Sequence, residues 1–148
     1  MIENYLNKII NGNCMDVMRQ FPDNSINLVV TSPPYDNLRT YKGYTFPFED
    51  IVTELYRIVK EGGIVVWVVS DATINGSETC TSFKQALTFV EKGFRLHDTM
   101  IFQNTNPVPQ IYRKRYTNVF EYMFVFSKGA VVTHNPIMVP CIHAGLEL

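Results

Sequence analysis

Five consecutive residues, Thr31-Ser32-Pro33-Pro34-Tyr35, set two hydroxyls, two imino acids and a phenol ring side by side. Neither proline can donate to a β-ladder and each fixes φ, so a strand reaching this run must end in a rigid loop. Such a loop holds a serine and an aromatic ring in fixed positions; it can also be a strand-ending turn and nothing more, since short motifs recur by chance. Composition also allows a Ser-His-Asp relay from Ser32, His97 and Asp71. Ser32, however, lacks the G-x-S-x-G setting that exposes a nucleophilic serine. Arg113, Lys114 and Arg115, between Tyr112 and Tyr116, are the first candidates for phosphate contact, and Arg39 and Lys42 the second. The alternative for both is an exposed, solvated charged loop. Tyr41 and Tyr44 can line a pocket or pack in a core. His134, Cys141 and His143 are of metal-ligand type, but their spacing fits no standard site, so no metal is expected.

These residues need elements to position them. Asn13 precedes a short periodic segment with Met15, Val17, Met18 and Phe21 apolar, which predicts a capped helix closed at Pro22-Asp23-Asn24, after a possible strand at Lys8-Ile9-Ile10. Ile26 to Val30 is a β-branched run that stops at the prolines. From Pro47 to Lys60 the period is helical, with Ile51, Leu55, Ile58 and Val59 on one face and Gly62-Gly63 as the stop. Ile64 to Val69 is apolar at every position, the pattern of a parallel strand covered on both faces. Ser82 to Lys92 is again helical, with Phe83, Ala86, Leu87 and Val90 on one face, and Phe94 to Gln103 and Val119 to Ser127 read as strands. The short connection before the last strand predicts that it runs antiparallel to its neighbour. The result is an α/β fold, in which ligands bind beyond the carboxyl ends of the parallel strands. Three polar segments, Thr31 to Tyr35, Ser70-Asp71 and Asn104 to Asn106, should therefore converge on one edge.

The chain has 148 residues, 46% hydrophobic and 18% charged, with a formal net charge of -1. This composition excludes disorder, collagen and coiled coil and points to a globular protein of about one domain. The longest uninterrupted apolar stretch, Ile64 to Val69, is far below the roughly 18 residues of a bilayer crossing. The first residues also lack a secretory pattern, so a cytoplasmic location is expected. Cys14, Cys80 and Cys141 form no C-x-x-C pair and are expected as buried thiols.

The Ser32-Pro33-Pro34-Tyr35 run after a buried strand resembles the catalytic signature of the DNA amino-methyltransferases, which methylate cytosine N4 or adenine N6 from S-adenosylmethionine. Three further segments extend the resemblance from Asn11 to Lys128: Gly12-Asn13-Cys14-Met15, Tyr56 to Gly63, and Tyr116 to Lys128. The resemblance implies an incomplete Rossmann-like class I methyltransferase sheet, mostly parallel with a late antiparallel strand. A base amine is a poor nucleophile because its lone pair is delocalised into the ring. In the implied chemistry, Ser32 Oγ and the Pro33 carbonyl accept its hydrogens on a loop that Pro33 and Pro34 preorganise. Tyr35 stacks on a base flipped out of the duplex, returning about 1–3 kcal/mol of the unstacking cost. The amine turns acidic as it gains the methyl group, so no strong base is needed. Ser32 tilts the choice of base towards cytosine.

The resemblance further assigns Asn13, Cys14, Thr31 and Ser32 to the cofactor. Tyr35, Arg39, Tyr41, Arg113, Lys114, Arg115, Asn118 and Tyr122 fall to double-stranded DNA and the target base. Two departures stand out. Asn13 replaces an acidic residue common in the family and is the helix cap argued above. No F-x-G-x-G segment, the family's cofactor loop, occurs in the chain. Residues 1–130 then read as the catalytic part, and 131–148 as a tail or the start of a target-recognition region. Without the strands that carry the cofactor loop, the strand ending at Val30 is an apolar edge. A homodimer or a complementing C-terminal half is the expected partner, and binding of S-adenosylmethionine by this chain alone is expected to be weak. The alternative is a non-catalytic nucleic-acid-binding remnant or one half of a split methyltransferase.

Overall fold

The computed structural model describes residues 2–34, 46–109 and 115–137. After a short 3-10 helix (Ile2–Tyr5), Asn13 Oδ1 accepts the Met15 N–H at 2.9 Å and caps α1 (Cys14–Met18), as its spacing predicts. Lys8-Ile9-Ile10 forms no strand and Ile9 is fully exposed. No strand among the described residues offers these three residues ladder bonds. β1 (Ile26–Thr31) follows.

α2 (Phe48–Ile58) buries Ile51, Val52, Leu55 and Ile58, one face of a helix, and passes directly into β2 (Val59–Val69). Gly62-Gly63 is therefore not the helix stop. The two glycines lie in a bulge of β2, where pairing with β1 jumps from Ile26↔Val59 to Leu28↔Ile64. The bulge needs glycine twice. Gly62 has φ +76°, and a Cβ on Gly63 would lie 2.8 Å from Val59 Cγ1 and 2.9 Å from the Lys60 carbonyl.

A two-stranded ribbon, β3 (Thr73–Ile74) and β4 (Ser77–Glu78), interrupts the path to α3 (Thr81–Glu91), and β5 (Arg95–Gln103) and β6 (Phe120–Ser127) are the last strands among the described residues. The main sheet has the order β1-β2-β6-β5. β1 and β2 pair in parallel, and β6 pairs antiparallel with both β2 and β5. Three strands thus point one way, and the late antiparallel strand is inserted between two of them rather than added at the end. β1 and β5 are the edges.

The core lies between the sheet and α2 and α3. Val65, Trp67, Val69, Phe124 and Phe126 form its sheet side, and Phe89 of α3 stacks on Phe126 with ring centroids 4.2 Å apart. α3 is turned from the expected face: Ser82, Gln85, Ala86 and Phe89 point inward, while Phe83, Leu87 and Val90 are exposed. The cause is polar. Trp67 Nε1 is buried and donates to Gln85 Oε1 at 2.8 Å, and Ser82 is tied to Asp71, so two polar residues take inward positions that a count of apolar residues assigns elsewhere.

The other face of the sheet is apolar but uncovered by the described residues. Leu28 is 58% and Val30 66% exposed, and Val66, Val68, Met123 and Val125 beside them are half-buried. The continuous apolar run of β2 does have apolar side chains on both faces, but helices cover only one among the described residues. Two cations fasten the other end of the sheet. Lys128 Nζ donates to Asn24 Oδ1 (2.8 Å) and to the carbonyls of Tyr56 (2.7 Å) and Val59 (3.1 Å). Arg57 binds Glu54, Asp23 and the carbonyls of Phe21 and Met18; the hydrogen bonds to Glu54 and then Asp23 hold its pKa above the ordinary guanidinium value. Cys14 and Cys80 are exposed, not buried. No described helix is long and apolar enough to cross a membrane.

Candidate active site

Because β1, β2 and β5 are co-directional, their carboxyl ends open onto one edge, and the described parts of the three polar segments, 31–34, Ser70-Asp71 and 104–106, lie at those ends. At this edge Thr31 pairs with Trp67, and the strand gives way to Ser32-Pro33-Pro34. Ser32 is exposed, Pro33 is buried and Pro34 half-buried. The buried proline anchors the loop from below while the serine before it faces solvent. Tyr35, Arg39, Tyr41, Lys42 and Tyr44 lie outside the described residues.

Trp67, which pairs with Thr31, is also met by residues 46 and 48. Phe46 and Phe48 pack against the Trp67 ring with centroids 6.5 and 5.8 Å away. Trp67 thus meets the loop's first strand residue by backbone pairing and its last residues by ring contact. Sequence reasoning missed this role. The signal was a lone tryptophan in an otherwise aliphatic strand, with Phe46-x-Phe48 before the helix.

Asp71, four residues beyond Trp67, is engaged with the start of α3: its carboxylate accepts the Ser82 N–H at 3.0 Å and the Ser82 hydroxyl at 2.5 Å. It caps the helix from outside. His97 pairs with Asp98 on β5 at 3.6 Å. β1 and β5 are the two edges of a four-stranded sheet, about 14 Å apart at the usual strand spacing, so Ser32, Asp71 and His97 form no relay.

Of the residues assigned to the cofactor, Thr31 and Ser32 stand at the strand end, whereas Asn13 and Cys14 open α1, which packs beside α2. Asn13's side-chain oxygen is occupied by the cap bond. Of those assigned to DNA, Arg113 and Lys114 lie outside the described residues, as do Cys141 and His143. Arg115 donates to the Gly76 carbonyl at 3.0 Å and to Glu78 Oε1 at 2.9 Å. Asn118 Oδ1 accepts the Phe120 N–H at 3.2 Å. Tyr122 sits at the same edge, opposite Val69, stacked on Phe124 and flanked edge-on by Phe83 and Phe120. The Asn75-Gly76 ribbon that Arg115 touches also went unread, although Asn-Gly between short strand-like residues is a strong hairpin signal.

The family model described as DNA methylase, of the N6/N4 methyltransferase type, matches residues 26–140. The chain belongs to the DNA methylase family. Among curated relatives it is 58% identical over 114 residues to the orphan methyltransferase M.BamHII of Bacillus amyloliquefaciens, covering 76% of this chain and 42% of that one. It is 40% identical over 72 residues to the type II methyltransferase M.BglII of Bacillus subtilis, covering 44% and 20%. Among solved structures, the cytosine-N4-specific PvuII DNA methyltransferase superposes with a TM-score of 0.66 at 22% identity, over 81% of this chain and 48% of that one. A complex of M1.HpyAVI with SAM gives 0.65 at 18%, over 87% and 61%. The fold is thus that of the class I methyltransferases, as the resemblance implied. The chain spans less than half the length of the curated relatives it matches.

Proposed function

We propose that this chain is the catalytic, target-base part of a site-specific DNA methyltransferase that modifies the exocyclic amine of a flipped base, with cytosine N4 favoured over adenine N6. The observation that carries the reading is the family match across 26–140 together with an exposed Ser32 on a proline-stiffened loop at the carboxyl end of β1. Ser32 Oγ and the Pro33 carbonyl accept the two amine hydrogens and draw the nitrogen out of conjugation, and Pro33 and Pro34 keep these acceptors from reorganising. Tyr35 supplies the stacking surface, with Tyr41, Asn118 and Tyr122 as pocket walls and Arg39, Arg113 and Lys114 as phosphate contacts. Ser32 in the signature supports cytosine.

The residues present fit S-adenosylmethionine in part. Thr31 and Ser32 offer polar groups at a strand end, with Asn13 and Cys14 at the start of α1, but no glycine segment of the cofactor-loop type occurs in the sequence. Bound there, the cofactor would supply the electrophilic methyl group. The exposed apolar sheet face and the β1 edge suit the remaining, cofactor-loop portion of a methyltransferase unit, which would cover Leu28 and Val30 and complete the site. In this reading residues 1–130 are catalytic and 131–148 begin the target-recognition region or a tail.

Ser32→Ala and Tyr35→Ala, made in the assembled unit, should each lower the methylation rate by well over about tenfold, and Tyr35→Ala should leave cofactor affinity nearly unchanged. Unchanged rates remove the assigned roles. Calorimetric titration of this chain with S-adenosylmethionine should give at most weak heat. Absence of methylation in an assembled unit that binds duplex DNA would favour a nucleic-acid-binding remnant.

A further inference from the structure

We propose that the β3–β4 ribbon is a finger that enters the groove of duplex DNA beside the flipped base, and that Arg115 is its positioning residue rather than a phosphate contact; this rests on the reading of DNA as substrate. Among the described residues the ribbon packs against no core element. All six residues from Thr73 to Glu78 are exposed, none joins the core, and Ile74 shows 58% of its surface to solvent. A Cβ on Gly76 would meet none of the described residues within 4 Å, so that side of the tip is open among them.

Yet the ribbon is held in place. Asn75 (φ +51°) and Gly76 (φ +82°) form the two-residue left-handed turn that fits a twisted hairpin. The Thr79 N–H donates to the Ala72 carbonyl at 3.0 Å and closes the base. Arg115 then reaches across from the segment before β6, one nitrogen on the Gly76 carbonyl and the other on Glu78. Both contacts are to the protein's own groups at its surface. A side chain that fixes a ribbon no other described residue covers is suited to hold that ribbon for a partner.

The placement and dimensions suit a duplex. The ribbon leaves the carboxyl end of β2, the strand beside the one that ends at Thr31, just before Ser32. Two residues and a turn project roughly 10 Å from Ala72. The major groove is about 8.5 Å deep and 12 Å wide and admits a two-stranded ribbon. At the tip, Asn75 carries an amide that can donate to and accept from a base edge, and Ile74 an apolar surface suited to a thymine methyl group.

Proximity can be tested without knowing the recognition sequence. In the full chain with Cys14, Cys80 and Cys141 replaced by serine, Asn75→Cys is labelled with a photoactivatable thiol reagent and irradiated with random-sequence duplex DNA. Lys92→Cys, exposed at the opposite edge of the sheet, is the control. Position 75 should crosslink to bases and position 92 should not. Adding Arg115→Ala should abolish the crosslink at 75, and Arg115→Lys, which keeps a donor for the Gly76 carbonyl and a cation for Glu78, should retain part of it. Circular dichroism checks that each variant folds. Fluorescence anisotropy from about 50 to 200 mM salt separates the two roles of Arg115: loss of a brace leaves the slope of affinity against salt unchanged, whereas loss of a phosphate contact lowers it by about one. A slope lowered by one with the crosslink intact, or no crosslink at 75 from a chain that binds duplex, overturns the finger alone. No duplex binding at the lowest salt overturns the DNA reading and the finger with it.

Discussion

The two faces of the sheet are built from the same kinds of residue and live in different solvents. On one, Val65, Trp67, Val69 and Phe126 are at most 1% exposed beneath α2 and α3. On the other, Leu28 and Val30 are more than half exposed, in line with Val66 and Val125. Alternation along β2 assigns consecutive residues to opposite faces, so the difference lies in what covers them and not in composition. Hydrophobicity in a strand records which surface the sequence is prepared to bury. The contacts record which surface the described residues do bury. The gap between the two is the part of a methyltransferase unit that we propose seats on the open face.

The comparison breaks most sharply at Phe89. Its ring is fully buried, stacked on Phe126 and edge-on to Trp67 at 5.0 Å, so Phe89→Ala removes the centre of the covered face. Loss of about 3–5 kcal/mol is expected, a large share of the roughly 5–15 kcal/mol that holds a domain together. Urea denaturation followed by circular dichroism measures it. A loss below that range would mean that the aromatic cluster collapses around the hole. Lys128→Met should cost less, about 1–3 kcal/mol, because it leaves Asn24 Oδ1 and two backbone carbonyls without the ammonium that joins them. If the same titration gives no shift, water has taken the place of the ammonium and Lys128 is no fastener.

Much of the architecture was legible because it follows from periodicity and punctuation. The α2 face, the end of β1 at Pro33-Pro34 and the direction of β6 needed only spacing, proline geometry and a short connection. α3 failed for an instructive reason. Its apolar count favours Phe83, Leu87 and Val90, but a buried indole N–H elsewhere requires Gln85 beneath it, and no local pattern carries that demand. The Gly62-Gly63 bulge was misread as a helix stop because both roles need the same residue. At the candidate site, the Ser-Pro-Pro run announced itself through backbone chemistry. The closing of its loop onto Trp67 from both ends, and the engagement of Arg115 with the ribbon, are contacts between distant segments. The sequence held only a tryptophan and an Asn-Gly pair as hints of them.

The smallest expected effect tests the comparison most directly. Val29 and Val30 are neighbours on β1, paired with Val65 and Val66, and differ in face. Threonine in place of valine keeps the shape and adds a hydroxyl, which is cheap in water and costs about 1–3 kcal/mol where it is buried without a partner. Val65→Thr, on the covered face, should pay that cost. Val30→Thr should stay within about 0.5 kcal/mol in this chain. The same Val30→Thr change, measured after the cofactor-loop portion of a methyltransferase unit is supplied, should become as costly as Val65→Thr and weaken the association by the corresponding factor. Equal, small effects in both states would mean that nothing ever covers Val30, and the apolar face would then have to be explained by some surface other than the rest of the enzyme.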